Sequence, residues 1–412
     1  MTLDTACRGC AAPGEPHRLL ELGPQPPSNR FVREGERQTD RHPLTLGQCG
    51  RCGLLQLIDP MSPDMVRARF DWITYNEPEG HLDQVADRIR DRLPAGGARI
   101  LGATYKDDTT LKRLEERGFP AAYRFDPVED LGIDAPHASL ETIQAALGPG
   151  LDRGVAQRHG GADLVVARHV LEHAHDPGAF LDCLLGFARP GGSVMLEVPD
   201  SGKFVGAGDH CFLWEEHIAY FTEHTLEELL RRRGCTDIEI RRFPYPMEDS
   251  LVAMVRVPES PPEASVPDDA GPPAAELEAG RHFAERFPVV RAAYQRHLGH
   301  LRERGKRVAA FGAGHLAAKF INFYGLGAFI DSVIDDNPDK AGLRMPGSLL
   351  PVVGSGVLES GTVDLCLLSL SPESEARVLE RRAAYVRAGG VFRSMFSLSP
   401  LGLWADIAGE DA

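Results

Sequence analysis

Residues 162–181 read ADLVVARHVLEHAHDPGAFL, and residues 188–200 read ARPGGSVMLEVPD. Leu164-Val165-Val166 is an apolar run of strand length, and it gives way to the polar pair Arg168-His169. Arg189-Pro190-Gly191-Gly192 predicts a turn, with Val194–Val198 as a second short strand. Strands separated by helical segments predict parallel βαβ units.

The same alternation extends in both directions. Leu82, Val85, Ile89 and Leu93 share one helical face. Ile100-Leu101 begins a strand after a Pro-Ala-Gly-Gly turn, Leu111–Gly118 reads as the following helix, and a short run then ends in Asp126-Pro127. Downstream, Thr225–Arg233 predicts a helix with Leu226, Leu229 and Leu230 on its apolar side, stopped by Gly234. Val308–Phe311, Gly312-Ala313-Gly314 and His315–Phe323 form a strand, glycine turn and helix. Such a helix N-terminus can hold an anion, and the glycines equally serve close helix–strand packing. Pro258–Pro273, rich in Pro, Asp, Glu and Ala, reads as a linker or exposed loop. The expected organisation is 1–60, 61–255, a linker at 256–275, and 276–412.

A chain of 412 residues exceeds one ordinary core. With 42% hydrophobic and 25% charged residues it has a soluble, globular composition. No apolar run approaches the roughly 18–20 residues of a membrane span, and the first residues lack a basic region followed by an apolar stretch. A cytoplasmic location without membrane partners is expected. The net charge of −15 disfavours nucleic acid as a partner.

Cys7-Arg8-Gly9-Cys10 and Cys49-Gly50-Arg51-Cys52 are two CxxC pairs. Two such knuckles offer four sulfurs to a structural Zn²⁺, which orders a segment too small to fold on its own core. The other four cysteines are scattered and expected to pack.

The 162–200 stretch resembles the fourth strand, following helix and fifth strand of class I methyltransferases. Together with the cysteine module it resembles the sugar C-methyltransferases of antibiotic deoxysugar pathways. HPLTLGQCGRCGLLQL at His42–Leu57, FGAGHLAAKF at Phe311–Phe320 and IDDNPDKAGLRMPGSLLPV at Ile334–Val352 follow that family's patterns in order. The resemblance implies an α/β architecture: a zinc module, a doubly wound class I core, and a Rossmann-like C-terminal domain. It implies S-adenosylmethionine as methyl donor and a nucleotide-linked deoxyketosugar as substrate.

Carried over residue by residue, the segment Trp214-Glu215-Glu216-His217 aligns with the family's active-site motif. His217 matches the base and Glu216 its acidic neighbour. His173 matches a second active-site histidine and Tyr75 a family tyrosine. Trp214, Tyr220, Gly312, Gly314, His315 and Lys319 are expected to face substrate. Thr104, Asp107, Asp126, Arg168 and His169 are expected around the cofactor. The histidine would take a proton from the carbon beside a ketone, and the enolate would attack the donor methyl.

The cofactor loop departs from the family's "E-x-G-S-N-D-G-T". Gly102 stands in place of the acid, and Thr104 and Asp108 replace glycines. Two outcomes follow: a donor bound through another loop path, or a methyltransferase fold turned to isomerase, epimerase or lyase chemistry, or to binding alone.

Overall fold

The computed structural model describes residues 6–38, 40–70, 72–73, 77–94, 97–134, 138–151, 153–259 and 271–410. Three sheets organise them. The first joins β1 (His17–Gln25), β2 (His42–Gln48), β3 (Leu55–Ile58) and β8 (Ala219–Tyr220) in that order. All its pairings are antiparallel. β8 comes from the middle of the chain, so the cysteine module's sheet is completed by the segment that carries His217.

The second sheet has six strands. They are β4 (Ile100–Gly102), β5 (Ala122–Arg124), β6 (Ala162–Arg168), β7 (Ala188–Asp200), β9 (Thr236–Phe243) and β10 (Asp249–Arg256), in the order β5-β4-β6-β7-β10-β9. β4 through β7 run parallel and β10 antiparallel. β6 is buried on both faces, which is why it reads as a nearly continuous apolar run rather than an alternating one. The turn expected at Arg189–Gly192 is instead a bulge inside β7. Ala162 pairs with Ala188 but Leu164 with Ser193, and Gly191 takes φ 69 to absorb the extra residues.

The helices cover this sheet as their apolar spacing requires. Leu82–Arg92 buries Leu82, Val85, Ala86 and Ile89, packing on Ile100, Leu111 and Leu114. Glu223–Arg232 starts at a capping box between Thr222 and Thr225 and ends beside Gly234 at φ 74. Its Leu226, Leu229 and Leu230 are buried, each contributing about 1.5–3 kcal/mol.

The third sheet is wholly parallel: β11 (Val308–Phe311), β12 (Ser332–Ile334), β13 (Val352–Val353), β14 (Leu365–Leu368) and β15 (Val391–Ser394), in the order β13-β12-β11-β14-β15. The parallel strands of the second and third sheets change winding direction at β4/β6 and at β11/β14. Ligands bind outside the carboxyl ends of strands at such switch points. The helix Ala274–Glu303 begins inside the expected linker; residues 260–270 of that linker lie outside the described set.

Candidate active site and zinc centre

The four sulfurs of Cys7, Cys10, Cys49 and Cys52 lie within 4.8 Å of one another. Cys7–Cys52 and Cys10–Cys49 are each 3.6 Å apart. Tetrahedral zinc at about 2.3 Å from each sulfur needs about 3.8 Å between sulfurs, so the cage fits. The second knuckle sits at the β2–β3 connection, where Gly53 N donates to Cys49 O and Arg51 N reaches the Cys49 sulfur.

This module grips the His217 segment. Ile218 is bonded on both sides: its carbonyl accepts from Leu57 N at 2.9 Å, and its N–H donates to Glu172 O at 2.7 Å. Arg8, beside a zinc ligand, donates to His175 O. The Tyr220 hydroxyl closes the segment on Trp214 N and O at 2.9 and 3.1 Å. His217 therefore stands on a backbone fixed from two sheets.

A cavity of about 830 Å³ opens between the second and third sheets. On one wall are His169, Glu172, Pro199, Glu248 and His217, at the carboxyl ends of β6 and β7. On the other are Ala313, Gly314, His315, Ser369 and Ser371, at the β11/β14 switch point. Trp214 joins the walls, its ring stacked on His315 with centroids 4.4 Å apart. Burial, reinforced by His173 and His315, holds His217 well below the usual imidazole range. Its ring makes no hydrogen bond among the described residues, so the wall presents a neutral imidazole with a free lone pair.

Three family models match the chain in order: a putative zinc binding domain at 7–66, a methyltransferase domain at 79–240, and a C-methyltransferase C-terminal domain at 272–396. C-methyltransferase NovU of Streptomyces niveus is 23% identical over 360 residues, covering 85% of each protein. The chain is thus similar to C-methyltransferases over most of its length, with the three matched domains in order. It is an S-adenosylmethionine-dependent methyltransferase with a zinc-binding N-terminal module. Among solved structures, it is similar to the 1,6-didemethyltoxoflavin-N1-methyltransferase of Burkholderia thailandensis, with 19% identity, 44% of this chain and 79% of that one covered, and a TM-score of 0.31. The magnesium protoporphyrin IX methyltransferase of Synechocystis PCC 6803 shows 17% identity, with 44% and 90% covered and a TM-score of 0.31.

In this C-methyltransferase the expected residues divide into several groups. His217, Trp214, His169, Gly314 and His315 line the cavity. His173 and Glu216 sit behind it and are buried. Glu216 accepts from Asn29 at 3.1 Å, and burial next to Glu141 pushes its carboxyl well above the usual range. Tyr220 is committed to Trp214, as described. Gly312 takes φ 100 and approaches the backbone of Ser369, a packing role that a Cβ would disturb at 3.0 Å. Lys319 is fully buried and paired with Glu215, away from the cavity. Tyr75 lies outside the described residues.

The cofactor-side residues are tied into the loop itself. Asp107 accepts from Ala103 N, Thr104 N and Arg168 N, all at 2.8 Å. The Thr104 side chain accepts from Lys106 N. Arg168 pairs with Glu197 and donates to Lys106 O. Asp126 is exposed and caps its own turn through Val128 N and Glu129 N. His169 holds φ 47, a strained conformation for a residue with a Cβ. Burial alone would lower its pKa, but Glu77 and Glu197 outweigh it and push the imidazole up to about 10.

Buried atoms without a hydrogen-bond partner remain at these strand ends: Arg168 Nη2 and both Glu172 oxygens. One unpaired guanidinium nitrogen among unpaired carboxylate oxygens complements a ligand that carries a carboxylate, an ammonium and a sulfonium. The donor set fits S-adenosylmethionine.

Sequence reading missed Glu77, Glu141, Glu197 and Glu248, and it placed Glu215 in the active-site segment without its partner Lys319. Glu197 had a signal, an acid inside the apolar run Val194–Val198. A charge in a buried strand requires partners, and Glu197 has four: Arg168, His169, His81 and Ser250. Glu141 and Glu248 carried none, because acids at a helix start and in a loop are ordinary on a surface.

Proposed function

We propose that this C-methyltransferase methylates carbon beside the ketone of a nucleotide-linked deoxysugar, with His217 as the base. The observation that carries this reading is the unpartnered, neutral His217 ring on the cavity wall. The relative NovU, itself a C-methyltransferase, supports carbon as the acceptor.

The opposite wall suits the nucleotide end. Helices His315–Phe323 and Pro372–Arg381 begin at the cavity, at Gly314 and Ser371, and Lys340 lies between them and Phe31. Two helix N-termini and an ammonium favour a phosphate. The sugar would then reach across to His217, with Trp214 and His315 packing against it.

Bound at the β4/β6 switch point, S-adenosylmethionine supplies an electrophilic methyl carbon. Arg168 would hold its carboxylate and Glu172 its cationic side, with the second carboxylate oxygen of the exposed Asp126 offered to the ribose. His217 removes the proton from the substrate carbon, and the imidazolium formed faces Glu172 and Glu248. Trp214 and Met247 keep water from that carbon.

Two measurements test the reading. Calorimetry should show binding of S-adenosylmethionine to the zinc-loaded protein. Replacing His217 by Ala should then leave donor binding within about twofold while removing turnover by about 100-fold or more. Full turnover in that variant would overturn the base assignment.

A further inference from the structure

Behind His217 lies a second imidazole held by a carboxylate that the reaction as described does not use. Glu141 stands in the first turn of the helix Leu140–Ala146, whose N-cap is Ser139. It is 3% exposed, and its Oε1 is 2.6 Å from His173 Nδ1. The same helix holds the next turn of chain through Gln144, which accepts from His175 N at 3.2 Å. His173 stands edge-on to His217, with ring centroids 4.8 Å apart at 83°. It also meets Trp214 edge-on at 6.0 Å.

We propose that Glu141 is a positioning residue: through Nδ1 it fixes the His173 ring edge-on to His217 and sets the charge that His217 meets there. This rests on the assignment of His217 above. A carboxylate bonded to Nδ1 sets the tautomer and favours the imidazolium, as in catalytic triads. Here the charge acts on a neighbouring ring instead of on a nucleophile.

The groups facing each ring support this direction. Around His173 are Glu141, Glu216, Glu172, Glu77, His217 and Trp214. Burial disfavours its charge, yet Glu141 and then Glu172 and Glu77 raise it. Around His217 are His173, His315, His169 and Lys106, each of which opposes protonation, and the Glu172 carboxylate within 4.8 Å, which draws the other way. Glu216 accepts from Asn29, and a carboxylate oxygen of it also lies within 4.8 Å of the Glu141 carboxylate and the His173 ring. Removing the Glu141 charge lets His173 become neutral, and His217 is then protonated more easily.

The test uses full-length, zinc-loaded protein with Glu141→Gln, Glu141→Asp and wild type. Glu141→Gln should lower kcat by about 10- to 100-fold, the range for losing a partner that orients an imidazole. KM should stay within about twofold. The acidic limb of its kcat/KM profile should move to higher pH. Glu141→Asp, which keeps the charge, should restore the wild-type limb. An NMR titration of labelled histidine should show the His173 pKa falling in Glu141→Gln. That titration reads Glu141 and His173 directly, so it holds even if His217→Ala retains turnover and the base assignment fails. An unmoved His173 pKa, or a Glu141→Gln limb that coincides with wild type, overturns the proposal.

Discussion

Asp107 fills the space that a side chain at residue 102 would need: a Cβ on Gly102 would lie 3.2 Å from Asp107 Cβ and 2.9 Å from Leu111 Cδ1. The acid expected at 102 is absent, and the motif's retained aspartate, Asp107, is the carboxylate that lies under the loop and takes its backbone N–H groups. Burial pushes the Asp107 carboxyl up to about 7, against the three backbone N–H groups that hold it. Asp107→Ala leaves Thr104 N and Arg168 N without partners, whereas Ala103 N keeps Val166 O. Unsatisfied buried groups cost about 1–3 kcal/mol each, and relaxation recovers part. A loss of about 3 kcal/mol in urea unfolding, with loss of S-adenosylmethionine binding by calorimetry, is the expected result. Unaltered donor affinity would show that the loop does not serve the cofactor.

Zinc removal should reach the active site. β8 hangs on β3, and Arg8 holds His175 O. A chelator that strips zinc, or Cys49→Ser, should lower the melting temperature and abolish turnover together. Metal analysis should find one zinc per chain before treatment. Turnover that survives complete loss of zinc would separate the module from the site.

The architecture was legible because apolar periodicity survives burial. β6, β11 and the helix His315–Phe323 follow directly from their patterns. The cysteine cage was legible because four thiols in two CxxC pairs have few other uses. The site was legible only in part. His217 could be placed by resemblance, but Glu141 meets His173 across 32 residues and Glu215 meets Lys319 across 104. No local pattern encodes contacts of that range. Glycine turns misled at Arg189–Gly192, where Gly191 serves a bulge, because positive φ suits both uses.

Glu215 and Lys319 form a fully buried ion pair between the His217 segment and the helix His315–Phe323. Ser28 adds a hydrogen bond to Glu215 at 2.7 Å, so three parts of the chain meet there. Breaking such a pair from one side leaves a charge stranded, at about 3–5 kcal/mol. Lys319→Met and Glu215→Gln should each lose about that much in denaturant unfolding. The double variant should recover most of the loss, since both charges leave together. Additive losses in the double-mutant cycle would mean that the pair is not coupled.

Glu248 gives the cavity a pH-dependent wall. It is half-buried and lines the cavity. Burial, then the nearby Glu77, push its carboxyl up to about 8 against the opposing charge of His169. In the unfolded chain it titrates at about 4.3. Between those values the folded chain binds more protons than the unfolded one, so stability falls as pH rises through that window. Glu248→Gln keeps the shape of the protonated acid and removes the slope. The opening to the cavity screens the charge, so a difference of about 1–2 kcal/mol is expected rather than the full shift. Urea midpoints at pH 5.5 and 8.5, with zinc present, should show wild type losing stability at the higher pH and Glu248→Gln losing less. Parallel losses in the two proteins would mean that Glu248 is already ionised in the folded chain.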